Sequence, residues 1–291
     1  MILLTGATGN VGREVARQLS ALGPPFRVLV RDENKVAHLN ARVERARGDL
    51  NAPDTLAAAM AGVDQLFLLT VDSGSTHTAH AIEAAKRASV RNVVLLSSMG
   101  AAAERAAPAA PAGQAPSLGR WYVEREEIVI ASGIPWTFVR PGMFMANALR
   151  WANTVRTAGV VYDGASGDGK TAPIDEQDIA AVAVRALTES GHAGKSYLLT
   201  GTELLTAREQ VDILSDVLQK PIRCVAQTPA EVAESLRKAG APAALVEGLL
   251  QLRASVRVGR VARVSSDFEE VMGRKPRTFR AWCQAHASEF A

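Results

Sequence analysis

The opening run MILLTGATGNVGREVARQL places three glycines, Gly6, Gly9 and Gly12, at three-residue intervals between an apolar stretch and an amphipathic one. The pattern G-x-x-G-x-x-G is one residue wider at its first step than the common G-x-G-x-x-G of dinucleotide sites. After a strand and before a helix, such glycines permit a tight turn, let the backbone approach a pyrophosphate, and allow close helix–strand packing. The amides and dipole at the start of the next helix then favour the phosphates. A purely structural turn is the competing reading, and the rest of the chain has to decide between them.

Up to about residue 140 the chain keeps a regular rhythm. Short apolar runs at 2–5, 26–31, 43–47, 65–70, 92–97 and 135–140 read as strands. Helical patterns separate them at 11–22, 34–40, 53–61, 75–89 and 118–132. Six strands with five crossovers predict an α/β fold with a doubly wound parallel sheet of the Rossmann kind. Residues 1–142 are assigned to this dinucleotide-binding domain, with return segments at about 173–201, where KSYLLTG looks like a strand. Residues 143–291 are assigned to a smaller, mainly helical substrate lobe with one strand at 221–226. The stretch AAAERAAPAAPAGQAP, 101–116, breaks the rhythm and reads as a long loop, either a lid at the sheet edge or a surface loop without function.

Several function classes fall away on composition. The 33 basic and 30 acidic residues are dispersed apart from the run LRASVRVGRVARV, 252–264, and no aromatics interleave its arginines, so it reads as a solvated face and not a nucleic-acid surface. No apolar stretch reaches the length of a membrane span, and the N-terminus shows no signal-peptide cleavage site, so a cytoplasmic protein is expected. Cys224 and Cys283 read as ordinary thiols, and the five histidines show no metal spacing, so no metal is expected. His77 and His80, three apart on one helix, are expected in polar structural roles. There is neither a G-x-S-x-G elbow nor a P-loop.

The ribose of a dinucleotide is read at the end of the second strand, here VLVRDENK. Asp32 facing it would select NAD, whereas Arg31 would pair with the 2′-phosphate of NADP. Arg31 ends the apolar run and is the better placed, so NADPH is the expected cofactor; Arg13 is a weaker second cation.

The segments TGATGNVG, VLVRD, ARGDL, LLSSMG, ASGIPWTFVRPGMFMAN and PIDEQDIAAVAVRAL together resemble the NmrA-like branch of the atypical short-chain dehydrogenases/reductases, over nearly the whole chain. The resemblance implies that Gly6, Thr8, Gly9, Asn10, Val11 and Gly12 hold the pyrophosphate and that Arg31 reads the 2′-phosphate. It further implies Asp49 and Leu50 beside the adenine, and Leu69, Thr70, Ser97, Ser98 and Met99 along the nicotinamide side.

One departure matters more than these matches. Typical short-chain dehydrogenases carry Tyr-x-x-x-Lys, whose ammonium helps the tyrosine shuttle a proton. Here LGRWYVEREEIV offers Tyr122 and, four residues on, Glu126. A carboxylate disfavours a phenolate, and Arg125 is expected to face away. Quinone reductases of the branch are similar in lacking the lysine. Hydride addition to a quinone leaves a phenol-like anion with a conjugate-acid pKa of about 10, which needs little proton assistance. The expected activity is therefore NADPH-dependent reduction of a quinone or conjugated aromatic carbonyl compound by a monomer or homodimer, of a kind that sometimes tailors aromatic natural products. Tyr122 and Glu126 are the candidate catalytic residues. Trp121, Met143, Phe144 and Asn147 are candidate walls for an aromatic substrate, while Trp136 is assigned to the core. A non-catalytic NAD(P)-sensing regulator, as NmrA is, is the alternative.

Overall fold

The computed structural model describes residues 1–72, 74–106, 117–164 and 166–291. Among these residues nine strands form: β1 (Ile2–Leu4), β2 (Phe26–Val30), β3 (Glu44–Arg47), β4 (Gln65–Leu68), β5 (Asn92–Leu96), β6 (Trp136–Pro141), β7 (Val160–Asp163), β8 (Lys195–Leu199) and β9 (Arg223–Ala226). Seven of them make one sheet in the order β3-β2-β1-β4-β5-β6-β8. Each neighbouring pair from β3 to β6 is parallel. The order reverses at β1, so the chain winds outward on either side of it and leaves a crevice between the carboxyl ends of β1 and β4.

The helices are α1 (Asn10–Leu22), α2 (Leu56–Met60), α3 (Thr76–Arg87), α4 (Met99–Ala106), α5 (Leu118–Ala131), α6 (Ala152–Ala158), α7 (Glu176–Thr188), α8 (Ala207–Leu218), α9 (Pro229–Lys238), α10 (Ala243–Arg257), α11 (Asp267–Met272) and α12 (Phe279–Ala285). Two compact units result. The first comprises Met1–Ala102, Trp121–Pro141 and Glu176–Leu198; the second comprises Ala103–Arg120, Gly142–Asp175 and Leu199–Ala291.

In the first unit the central strands β1, β2, β4, β5 and β6 are short and largely apolar, as strands covered on both faces must be, whereas edge strand β3 reads Glu-Arg-Ala-Arg and has no buried residue. Leu3, Leu66, Leu68, Val93, Leu95 and Phe138 pack with Leu56, Met60, Ile82 and Val129 from the helices. Helix α1 buries Val11, Val15, Ala16 and Leu19, the spacing of one helical stripe, and packs beside α7. The second unit gathers Val161, Val211, Leu214, Phe279, Trp282 and Phe290 around the parallel pair β7–β9. Its helix α8 starts with a capping box in which Thr206 and Glu209 satisfy each other's backbone amides.

Four local expectations are corrected, and one strand lay outside them. Residues 34–40 make only the short 3₁₀ turn Glu33–Val36, since Asp32 caps it and the segment lacks an apolar stripe. The segment 53–61 is a 3₁₀ turn, Pro53–Thr55, that runs into the short helix α2. Residues 101–106 continue α4, because alanine, glutamate and arginine favour helix; the rest of the expected loop, 107–116, lies outside the described residues. Strand β7, Val-Val-Tyr-Asp, was not among the expected strands, although Val and Tyr favour one; it pairs with β9. Trp136 is only partly buried, stacked on Phe138 with ring centroids 4.0 Å apart.

The turn from β1 to α1 is set by close approach of backbone to backbone. A β-carbon at Gly12 would stand 2.0 Å from the carbonyl oxygen of Gly6, which itself sits at φ +70°. Gly12→Ala is therefore expected to destabilise the fold by about 3 kcal/mol or more, read as a lowered midpoint in urea unfolding.

Candidate functional site

The glycine loop leaves the carboxyl end of β1 at the switch point. Gly9 is the N-cap of α1 and supplies no side-chain oxygen, and no acidic residue occupies the first turn. The amides that begin a helix have no partner within it, and here no side chain takes their place. A β-carbon at Gly9 would meet only the Gly6 oxygen, at 3.5 Å, so the surface above the turn is open. Thr8, Gly9 and Asn10 are exposed, while Val11 and Gly12 are buried beneath them. A bare positive helix end under an open, glycine-lined surface fits a pyrophosphate.

Thr5 couples this loop to the next strand of the crevice. Its hydroxyl accepts from the Leu69 amide at 2.7 Å and lies 3.0 Å from the Leu69 carbonyl. The Leu69 side chain in turn limits Gly6, where a β-carbon would lie 3.0 Å from it. Thr70 is buried, with its hydroxyl 3.3 Å from that of Thr78 on α3.

At the end of β2 the two ribose candidates separate. Asp32 caps the 3₁₀ turn, its carboxylate accepting from the Asn34 amide at 3.0 Å. Arg31 is exposed and has no carboxylate partner among the described residues. Arg13 reaches back to the Thr8 carbonyl at 3.4 Å. Past β3, Asp49 accepts from the Asn51 amide at 2.9 Å, and Leu50 offers its carbonyl to His80 Nδ1 at 2.7 Å. His77 Nε2 lies 2.8 Å from Asn51 Oδ1, so the two histidines of α3 tie down the Leu50–Asn51 corner.

The carboxyl end of β5 holds an arrangement absent from the sequence reading. Glu126 on α5 is fully buried and accepts from Ser97 Oγ at 2.6 Å and from Arg140 at 2.8 and 2.7 Å. One carboxylate thus bridges β5, β6 and α5, and its charge is matched by a guanidinium that holds it at both oxygens. Ser98 accepts from the Gly100 amide at 3.1 Å, and its own proton is not used in that bond. Met99 starts α4 and is partly exposed, as is Trp121 on α5.

Tyr122 has an unexpected neighbour. Arg125 does not face away: its guanidinium carbon lies 5.0 Å from the Tyr122 ring centroid. Positions i and i+3 are adjacent on a helix surface, which is why the expectation fails. Arg125 is almost fully buried and donates to the carbonyls of Gly74 at 3.0 Å, Thr70 at 3.5 Å and Asp72, and to the Asp72 carboxylate at 3.3 Å. It holds the segment between β4 and α3 in place. Arg140 carried a signal in the sequence, as the sole charge ending an apolar strand; Arg125 carried only its spacing from Tyr122.

Met143, Phe144 and Asn147 belong to the second unit. Phe144 bridges to Ile174, and Asn147 donates to the Met143 sulfur at 3.0 Å while accepting from Arg150 at 2.8 Å. All three are partly exposed. Among the described residues there is no cluster able to hold a metal and no helix long and apolar enough to cross a membrane.

Glu126→Gln should lower stability by about 3 kcal/mol, because it leaves the Arg140 charge beneath the surface without its counter-ion. The check is thermal unfolding of the cofactor-free protein; an unchanged midpoint would show that the bridge is not structural.

Comparison with known proteins agrees with this geometry. Residues 6–190 match the NAD(P)H-binding family. The chain is 40% identical over 293 residues to the NAD(P)H azoreductase of Xenophilus azovorans, covering 100% of this chain and 99% of that protein. It is also 40% identical over 291 residues to a (4-alkanoyl-5-oxo-2,5-dihydrofuran-3-yl)methyl phosphate reductase of Streptomyces griseus, covering 100% and 99%. Among solved structures, the NADPH-dependent quinone oxidoreductase of Escherichia coli complexed with NADPH superposes with a TM-score of 0.84 at 27% identity, over 99% of this chain and 100% of that one. A bare helix end at the switch point, with a family match that spans it, places this chain in the NAD(P)H-binding family.

Proposed function

We propose that the chain is an NADPH-dependent reductase whose acceptor is a quinone or a similarly conjugated, electron-poor compound. The observation that carries the acceptor class is the engagement of Glu126. Its carboxylate is spent on Arg140 and Ser97, and the helix position four residues past Tyr122 therefore contributes neither a lysine nor an available base. Among the described residues no strong proton relay stands beside Tyr122. An acceptor whose reduced form is a weakly basic, phenol-like anion is the kind that such a site can serve.

In this reading Gly6, Thr8, Gly9, Asn10, Val11 and Gly12 hold the pyrophosphate, and Arg31 pairs with the 2′-phosphate while Asp32 is kept away by its capping bond. Asp49 and Leu50 flank the adenine, and Leu69, Thr70, Ser97, Ser98 and Met99 line the nicotinamide side. NADPH bound there supplies the hydride. The chain contributes orientation. Tyr122 and Ser98 each have a hydroxyl proton to offer an acceptor oxygen, whereas Ser97 donates its own to Glu126. Glu126 acts through Arg140 and Ser97 by keeping the ends of β5 and β6 in register, and Arg125 does the same for the segment after β4. In the first unit Trp121 offers aromatic surface to a flat guest; in the second, Met143, Phe144 and Asn147 offer thioether, aromatic and amide surface. The names of the relatives, an azoreductase and a quinone oxidoreductase among them, support conjugated acceptors as a class.

Mixing the protein with NADPH and a panel of naphtho- and anthraquinones under argon should produce loss of absorbance at 340 nm. Tight NADPH binding with no oxidation across the panel would instead make the chain a cofactor sensor. Arg31→Ala is expected to weaken NADPH by about tenfold or more with little change for NADH, since it removes a charge-assisted contact to the phosphate alone; equal loss for both cofactors would show the ribose contact to be misassigned. Tyr122→Phe should lower kcat for a quinone by only a few-fold, well short of the roughly 10²–10⁴-fold that a general acid supplies.

A further inference from the structure

The segment that leaves β4 is arranged against the ordinary rule of solvation. Val71 is 83% exposed, whereas the side chain of Asp72, next to it, is turned inward and only 15% exposed. A carboxylate withdrawn from water is unfavourable unless charged or hydrogen-bonding groups replace the water. Asp72 has such groups on two sides, all of them in the first unit. Its Oδ1 lies 3.3 Å from Arg125 Nη2 and 3.6 Å from His77 Nδ1, and its Oδ2 accepts from the His77 amide at 3.2 Å.

All three guanidinium nitrogens of the buried Arg125 find acceptors in this segment. Nε donates to the Gly74 carbonyl at 3.0 Å, Nη1 to the Thr70 carbonyl at 3.5 Å, and Nη2 to the carbonyl and carboxylate of Asp72. A planar fork engaged at every nitrogen has one orientation. Among the described residues Asp72 supplies the one carboxylate that meets it. The face of the Tyr122 ring lies against the same guanidinium, with 5.0 Å from its carbon to the ring centroid, within reach of cation–π attraction. Two contacts therefore refer the ring to the segment after β4. Without the Asp72 charge the fork keeps only neutral carbonyls, which bind it more weakly, and the ring loses its fixed neighbour. Thr70 has a separate anchor, since its hydroxyl lies 3.3 Å from that of Thr78 on α3.

We propose that Asp72 is a positioning residue for Tyr122: its carboxylate fixes the Arg125 guanidinium, the guanidinium fixes the ring, and the phenol hydroxyl then meets the acceptor in one orientation. The proposal rests on the reading of Tyr122 as a hydrogen-bond donor to the acceptor. Its signature is non-additivity, because a residue that acts through the Tyr122 hydroxyl has no effect once that hydroxyl is gone. With NADPH and 9,10-phenanthrenequinone under argon, Asp72→Asn and Tyr122→Phe should each lower kcat by about threefold to fivefold. The double variant should lose no more than either alone, whereas independent effects would multiply to about tenfold or more. Asp72→Glu, which keeps the charge, should recover most of kcat. The KM for NADPH should hold within about twofold in all of them, since the anchor of Thr70 on Thr78 is untouched; a role in folding alone would lower kcat by the same factor with or without the hydroxyl. Asp72→Ala repeats the cycle without setting an amide donor against the guanidinium. A second readout needs no turnover: anthraquinone-2-sulfonate is titrated calorimetrically into the protein saturated with NADP+. Its affinity should fall by about threefold to fivefold in each single variant and no further in the double. Effects that multiply in either readout, an unchanged Asp72→Asn and Asp72→Ala, or an unchanged Tyr122→Phe would overturn the assignment. If no quinone oxidises NADPH while the binding cycle stays non-additive, the reductase reading falls and the positioning role of Asp72 stands.

Discussion

Everything in the first unit depends on how closely one turn of backbone can pass another. Gly12 must lie where its β-carbon would overlap the Gly6 oxygen, and only then can α1 start directly above the end of β1. That contact aims the free amides of α1 across the sheet's carboxyl edge. It also decides which strand must be the neighbour. Thr5 fastens Leu69 to the same corner, so β4 borders the crevice, and the Leu69 side chain closes the space under Gly6. A phosphate-binding surface built this way carries no side-chain charge of its own. In the proposed reading its affinity comes from dipole and amides, and selectivity between cofactors falls to a side chain further along the edge, at Arg31.

The second constraint is electrostatic. Glu126 lies where the sequence reading placed a possible participant in chemistry, yet the fold uses it as a strut between β5, β6 and α5. A buried carboxylate without Arg140 would be severely unfavourable, and a buried Arg140 without Glu126 equally so. The pair is best understood as specifying an arrangement more than adding stability, because well-packed apolar residues could fill the same volume. Arg125, the residue before Glu126 on α5, repeats the device with loop carbonyls and Asp72 as its acceptors.

How much of this was legible follows from range. The strands of the sheet, the glycine turn and α1 were readable because each is declared by residues within one window: apolar runs, a glycine at each close approach, a single buried stripe. Strand β7 was passed over although Val-Val-Tyr is strand-prone, for its pairing partner β9 lies far along the chain. The site shows the same division. Asp32 and Arg31 are neighbours whose roles could be ranked from position, and the cap at Asn34 now separates them. Glu126 could be noticed as a carboxylate near Tyr122, but its partners come from two other elements and no local pattern announces them. Arg125 was within local reach and was misjudged, for helical spacing alone puts it beside Tyr122.

Replacing a lysine-assisted tyrosine with arginine-held structure has a chemical consequence. A guanidinium keeps its proton throughout the working pH range, so neither Arg125 nor Arg140 can relay one; each can fix geometry and offer a constant field. The cation beside Tyr122 sits over the ring face, where the attraction is to the π cloud, and its hydrogen bonds are committed to the segment after β4. In the reading proposed above, the acceptor is one that can hold the incoming charge in its own conjugated system until solvent returns a proton. Such acceptors are flat and chemically varied, so discrimination among them falls to features away from the reacting atoms.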